Sequence, residues 1–261
     1  MEALTKIIQL GNGEGLDFDQ TNSSFLIELY DKNSSENIYI LFDCGFNVPK
    51  KLIEEYSELI PKIKYLFISH AHEDHIGGLS SFLHYRRKIL KIKEPIFVLS
   101  DTIYTNTTFI YDYLKLQNTQ FELIAGKAKS FSIKDLLEEK NNFDIENVGF
   151  SVIKTDHRII ESYGLLIYDN KKAVFITGDT KANREMKKDV LNICEELEVP
   201  LKFVFHDYSN WNNVNSNPHA CDLDLEWEYG DELFGKDVKF IKYHDGRKDF
   251  IKEYDLRIKN D

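Results

Sequence analysis

Three cysteines, five prolines and no run of about 18 apolar residues set the first limits on this 261-residue sequence. Cys44, Cys194 and Cys221 are odd in number and far apart, which argues against a disulfide framework and for a reducing compartment; each is read as a small buried apolar residue. The start MEALTKIIQLGNGEG has no charged segment leading into a long apolar one, so neither a secretory signal nor a membrane span is expected. The expectation is a cytoplasmic protein with no membrane partner. No Pro/Ser-rich linker, repeat or low-complexity tract divides the chain. With 42% hydrophobic residues, one domain over residues 1–261 is expected. Cationic side chains are also in the minority, 33 Lys and Arg against 44 Asp and Glu for a net charge of -11. A polyanion such as tRNA or duplex DNA would find few contacts on such a surface, so no stable nucleic-acid complex is expected.

What the sequence has is β-structure. KIIQL, SFLIELY, NIYILFD, KYLFIS, PIFVLS, FELIA, GFSVIK, YGLLIYD, KAVFITGD, LKFVFHD and VKFIKYH are short runs rich in Ile, Val, Phe and Tyr, and they read as strands. Helix-like segments lie at 49–59, 79–90, 102–116, 133–140, 182–197 and 248–258. Strands that outnumber helices, first mostly in hairpins and later alternating with helices, imply an α/β protein of two sheets covered by helices. The charged segment 126–147 is the candidate for a flexible insertion.

The strand KYLFIS runs directly into His70-Ala71-His72-Glu73-Asp74-His75, followed by Gly77-Gly78 and a helical segment. Four potential metal ligands therefore gather at one strand end. In a turn feeding a helix, positions i and i+2 can aim at one ion while i+4 and i+5 reach a second. Imidazole and carboxylate ligands suit Zn²⁺, with Mn²⁺ or Fe²⁺ as alternatives. A merely polar helix start capped by Asp74 is the competing interpretation. The strand-end positions of His157, His206 and His244, and of Asp179 in TGDT, weigh against it, because a rigid sheet can position side chains there. His84, inside SSFLHYRR, is read as an ordinary helix residue.

His70-x-His72-x-Asp74-His75 with His157, Asp179 and His244 resembles the metallo-β-lactamase superfamily in its dinuclear hydrolase form, over nearly the whole chain. LGNGEG…TNSSFLIE…LFDCG, HRIIESYGLLI, TGDT, FHD and KYHDG are most similar to its ribonuclease Z-like branch, which includes small cyclic-nucleotide phosphodiesterases. The resemblance implies an αββα sandwich of two mixed β-sheets flanked by helices. It implies one ion on His70, His72 and His157, another on Asp74, His75 and His244, Asp179 between them, and a hydroxide bridging the ions as the nucleophile. Asp43 of LFDCG would orient a ligand from behind. The intact TGDT and the missing signal argue against antibiotic hydrolysis. Relatives are commonly homodimers, so a homodimer is expected.

Asp74, His206, Asp207 and His219 are the candidate catalytic residues. The family's His-Glu pair reads His206-Asp207 here, and the shorter Asp puts its supporting role in question. The proton donor is His219 or His206, with His219 in NPHACD the better match to the family's later histidine. The glycines of GNGEG are expected to make a turn that approaches the metal site, and the loop Asn210 to Asn215 could touch a base or sugar. The resulting expectation is a two-metal phosphodiesterase for a small anionic substrate, which could be a cyclic nucleotide; about four metal charges would override the acidic surface locally. Two alternatives remain: a thioester or lactone hydrolase of the glyoxalase II type, and a non-catalytic metal-binding regulator.

Overall fold

Strands with both faces covered read as unbroken apolar runs, and Ala173-Val174-Phe175-Ile176 shows why. Val174 and Ile176 join one apolar cluster, while Phe175, pointing the other way, joins a second. The computed structural model describes residues 2–15, 17–32, 34–94, 96–101, 121–126, 130–132, 148–158, 160–210 and 218–257. The expected helices 102–116 and 133–140, most of the insertion 126–147 and the loop 211–217 lie outside them.

The first sheet begins with the antiparallel strands β1 (Leu4–Gly11), β2 (Ser24–Asp31) and β3 (Glu36–Phe42). Helix α1 (Val48–Glu55) then crosses to β4 (Ile63–Phe67), which pairs parallel with β3. Two short helices follow, α2 (Glu73–Ile76) and α3 (Leu79–His84), the latter extended by a π-turn over Tyr85–Ile89. Strands β5 (Ile96–Asp101) and β6 (Phe121–Gly126) continue the parallel half of the sheet.

The second sheet starts with β7 (Ser130–Ser132), β8 (Gly149–His157), β9 (Ile160–Tyr168) and β10 (Ala173–Ile176), all antiparallel. Helix α4 (Arg184–Glu196) leads to β11 (Leu201–Asp207), and α5 (Asp222–Tyr229) leads to β12 (Lys239–Tyr243). Strands β10, β11 and β12 are mutually parallel. Both sheets are therefore mixed, and the expected αββα arrangement is present.

Aromatic packing joins the sheets. Phe25 of β2 meets Phe205 of β11 and Tyr243 of β12 edge-on, with ring centroids 5.4 and 5.0 Å apart. Val48 and Leu52 of α1 and Leu79 and Phe82 of α3 extend this core, while Met186, Val190 and Cys194 of α4 and Leu225 and Tyr229 of α5 cover the other side of the second sheet. Helix α4 starts where Asn183 Oδ1 accepts the backbone N–H groups of Glu185 (2.9 Å) and Met186 (3.1 Å). All three cysteines are buried and free.

One expected helix is absent, and one helix was not anticipated from the sequence. The described part of the expected helix 248–258, residues 248–257, is not helical and instead contains β13 (Glu253–Asp255), which pairs with the outer edge of β1. Tyr254 and Leu256 are buried two residues apart, the strand period, and the unpaired edge of β1 decides the conformation of this charged segment. Conversely, DLDLEWEY alternates like a strand yet forms α5, which buries Leu225 and Tyr229 at the helical spacing i, i+4.

Candidate metal centre

The chain places its candidate residues at the ends of strands that run side by side. His70 follows β4, His72 caps α2, and Asp74 and His75 occupy its only turn. His157 ends β8, Asp179 follows β10, Asp207 ends β11 and His244 follows β12. Gly178 takes φ +66°, and a Cβ there would approach Ser69 to 2.7 Å, so the turn after β10 requires glycine. Asp43 and His244 also take left-handed backbones, φ 58° and 67°, at a cost on the order of 1 kcal/mol each. The His244 backbone N–H donates to Asn12 Oδ1 at 2.8 Å, and this bond holds its turn.

The Asp179 carboxylate divides its two oxygens between two groups. Oδ2 faces His70 Nε2 at 3.7 Å and His157 Nε2 at 3.9 Å. His72 Nδ1 lies 2.9 Å from His70 Nε2 and 3.3 Å from His157 Nε2. Oδ1 faces His75 Nε2 at 3.2 Å and His244 Nδ1 at 3.8 Å, and Asp74 Oδ2 lies 3.2 Å from His75 Nε2 and 3.4 Å from His244 Nε2. In each group of four residues, one ligand atom per residue fits within 4.8 Å of the others.

Except for His72, which is exposed, these residues have nine-tenths or more of their surface withdrawn from water, yet several polar atoms lack protein partners. Among the described residues, His75 Nε2, His157 Nδ1, His244 Nδ1, Asp179 Oδ1 and Asp207 Oδ1 are buried without a hydrogen-bond partner. Each would ordinarily cost about 1–3 kcal/mol, so a cluster of them is hard to sustain by packing alone. Imidazole and carboxylate atoms converging at this spacing fit divalent cations.

The electrostatics have the same sense. Burial would raise the Asp179 carboxyl, but His244, His75 and His70 overcome it and hold it well below the usual carboxylate range. Burial would lower His75 and His244, yet Asp179 and the neighbouring aspartates raise both well above an ordinary histidine. Carboxylates thus outweigh fixed cations here, and protons or metal ions must supply the balance. His70, beside other imidazoles and fully buried, is pushed well down.

Behind the cluster, His75 Nδ1–H donates to Asp43 Oδ2 at 2.7 Å, which leaves Nε2 facing the two groups. Ser69 donates to Asp43 through both its backbone N–H and its Oγ, each at 2.7 Å. Asp43→Asn keeps a residue suited to the left-handed backbone but loses the anionic acceptor. Metal affinity, read by competition with a chelator, should fall roughly 10- to 100-fold.

Asp207 is a second hub. Its Oδ2 accepts from His219 Nδ1 (2.7 Å) and from the Thr180 N–H (2.7 Å), and its Oδ1 lies 3.4 Å from His244 Nδ1. Aspartate therefore reaches His219 despite lacking glutamate's extra carbon. His206, the preceding residue, does not join the cluster and drops out as a proton donor. Strand alternation turns it to the opposite face, where Nδ1–H donates to the Asp207 carbonyl (2.7 Å) and Nε2 accepts from Tyr229 Oη (2.9 Å). His84 is likewise remote, with Nδ1 on the Ser80 carbonyl at 3.0 Å. Ser69, Asn12 and Thr180 were not found from sequence. Asn12 lies 232 positions from His244, and no local pattern announces such a bond.

Burial lowers the His206 pKa to about 4, against the pull of Asp207. A depressed histidine stabilises the fold fully above its unfolded value near 6.5 and loses that contribution as pH falls towards 4. His206→Gln should therefore flatten the loss of unfolding free energy of the metal-free protein between pH 7 and 4 by about 3 kcal/mol, measured by urea titration.

A family model described as anti-Pycsar protein Apyc1 matches residues 5–257. The chain belongs to the Apyc1 family. A member from Bacillus phage vB_BsuM-Goe3 is 26% identical over 215 residues, covering 78% of this chain and 75% of that protein. The ribonuclease Z of Oceanobacillus iheyensis is 28% identical over 168 residues, 64% of this chain; the match spans 51% of that enzyme, about half its length. In three dimensions, the metallo-β-lactamase fold protein YhfI from Bacillus subtilis superposes with a TM-score of 0.65 at 16% identity, covering 92% of this chain and 86% of that one. The superfamily resemblance read from the histidine motif, and the ribonuclease Z-like resemblance read from stretches such as TGDT, FHD and KYHDG, are thereby confirmed for this Apyc1-family chain.

Proposed function

We propose that this chain is a two-metal phosphodiesterase that hydrolyses a small phosphodiester, with a 3′,5′-cyclic nucleotide as its substrate. The observation that carries this reading is the division of the Asp179 oxygens between two His/Asp groups, with His219 held beside them by Asp207. Family membership supports it, since anti-Pycsar proteins degrade cyclic nucleotides. The chain is a metallo-hydrolase, as its relatives are. His70, His72 and His157 would hold one divalent ion, Asp74, His75 and His244 the other, and Asp179 both, with zinc favoured by the ligand types. When bound, the ions would supply an activated water and positive charge at the phosphate. Asp43 and Asn12 fix His75 and His244 against that demand. His219, oriented through Nδ1, would deliver a proton to the departing oxygen.

We place the protein in the cytoplasm as a homodimer without a nucleic-acid or membrane partner. Free cysteines and the charge of -11 support that reading. Among the described residues no helix is long and apolar enough to cross a membrane. The interval between His157 and Asp179 is filled by β9 and β10, whereas tRNA-processing relatives are expected to carry an RNA-gripping arm there.

Competition kinetics test the proposal. Metal-loaded protein, binding about two ions per chain, should turn over 3′,5′-cyclic mononucleotides and bis(p-nitrophenyl) phosphate but neither S-lactoylglutathione nor a 3′-extended tRNA precursor. Efficient, position-specific tRNA cleavage without cyclic-nucleotide turnover would overturn it.

A further inference from the structure

The glycine-rich turn after β1 carries a charge that the proposed reaction does not use. Its two sides are fixed against one half of the cluster. On one side, Asn12 holds the His244 N–H, and the Gly246 N–H donates to the Asn12 carbonyl at 2.9 Å. On the other, a Cβ on Gly15 would lie 3.3 Å from the Asp74 carboxylate. Gly13 exchanges backbone bonds with Thr21 (2.9 Å) and Ser23 (3.1 Å), and Asn22 Nδ2 donates to the Glu14 carbonyl at 3.5 Å. Glu14 sits between these anchors.

Its carboxylate is partly buried and senses the charges of His244, His219, Asp207 and Asp179, with burial pushing its pKa up. No described residue gives it a side-chain hydrogen bond. A fixed anion here would repel an anionic substrate unless the substrate offered it a donor. In a 3′,5′-cyclic nucleotide, the hydroxyl nearest the scissile O3′ is the vicinal 2′-OH. Carboxylate recognition of a ribose 2′-hydroxyl is established chemistry in dinucleotide-binding folds. Glu14 feels the charges of both His219 and His244, whose rings lie 5.0 Å apart, so a substrate presenting O3′ to His219 would bring its 2′-OH towards Glu14.

We propose that Glu14 is a specificity-determining residue that accepts a hydrogen bond from the ribose 2′-hydroxyl, selecting ribonucleotides over 2′-deoxynucleotides and presenting O3′ as the leaving oxygen. The proposal rests on the cyclic-nucleotide reading above. Water adds to phosphorus and the P–O3′ bond breaks. O3′ takes the proton from His219, the proton lost by the water returns to that imidazole through solvent, and a 5′-monophosphate leaves.

The test compares kcat/KM for the best cyclic ribonucleotide of the panel with that for its 2′-deoxy analogue, in the wild type, Glu14→Gln and Glu14→Ala. The wild type should prefer the ribonucleotide by roughly 10- to 100-fold, the span of one hydrogen bond to a charged acceptor. That ratio should fall close to 1 in Glu14→Ala and to an intermediate value in Glu14→Gln, and chromatography should show the 5′-monophosphate as product. Because the ratio is taken within each protein, a general loss of folded enzyme does not alter it. A wild type without ribose preference, an unchanged ratio in Glu14→Ala, or a 3′-monophosphate product would overturn this inference alone. If wild-type protein turns over neither cyclic nucleotides nor bis(p-nitrophenyl) phosphate, the function proposed above falls as well.

Discussion

Asp179→Ala should abolish both metal positions together, reducing bound metal from about two ions per chain to below one and kcat/KM by on the order of 10³-fold or more. The reason lies in how one carboxylate is shared. Asp179 Oδ2 faces the His70 and His157 group while Oδ1 faces His75, so truncation removes a ligand atom from each group at once. It also removes the charge that, with Asp74, draws positive charge to His75 and His244. Loss of any one histidine should instead weaken mainly its own position. Elemental analysis after gel filtration measures the stoichiometry, and the gap in Tm between metal-loaded and chelator-treated protein reports the linked stabilisation, which should nearly vanish. Asp179→Asn, which keeps the shape without the charge, guards against a trivial folding defect. Two tightly held ions in Asp179→Ala, or a rate loss under tenfold, would sink the shared-ligand arrangement.

The second large effect concerns proton delivery. His219→Ala should retain about two ions yet slow cyclic-nucleotide cleavage by roughly 10²- to 10⁴-fold, the range for a lost general acid. His219 is the exposed member of its group, with 19% of its side chain accessible against 2% or less for Asp179, Asp207 and His244, so it faces where substrate must enter. Asp207 holds His219 through Nδ1. p-Nitrophenolate leaves without a proton, so bis(p-nitrophenyl) phosphate should lose far less, within about tenfold. Equal losses on both substrates would show that His219 only shapes the pocket. Burial lowers the His219 pKa, but Asp207 and Asp179 raise it above the usual histidine value. A raised acid stays protonated to higher pH, so Asp207→Asn should move the alkaline limb of kcat/KM to lower pH.

Eleven apolar runs announced strands that the fold contains, because burial on two faces demands continuous Ile, Val and Phe whatever the neighbours are. The ligand candidates were legible for a related reason: metal chemistry tolerates few side-chain types, and HAHEDH concentrates them within six positions. Segments with weak patterns were read less well. The charged stretch 248–258 and the alternating DLDLEWEY carried too little periodicity to resist tertiary context, and an open edge of β1 claimed one while the flank of α4 claimed the other.

The sequence by itself determined eleven of the strands, the superfamily and the seven histidine and aspartate residues that converge, since each of these depends on residue type and local order. Only the tertiary structure decided their division of labour. Two adjacent residues of β11, His206 and Asp207, are chemically plausible partners on paper, yet the pleat sends them to opposite faces, one to a buried bond with Tyr229 and the other to His219 and His244. Asn12 and Glu14 gain their places because β1 and the loop after β12 meet across most of the chain, and a contact between residues 232 positions apart leaves no imprint in local sequence.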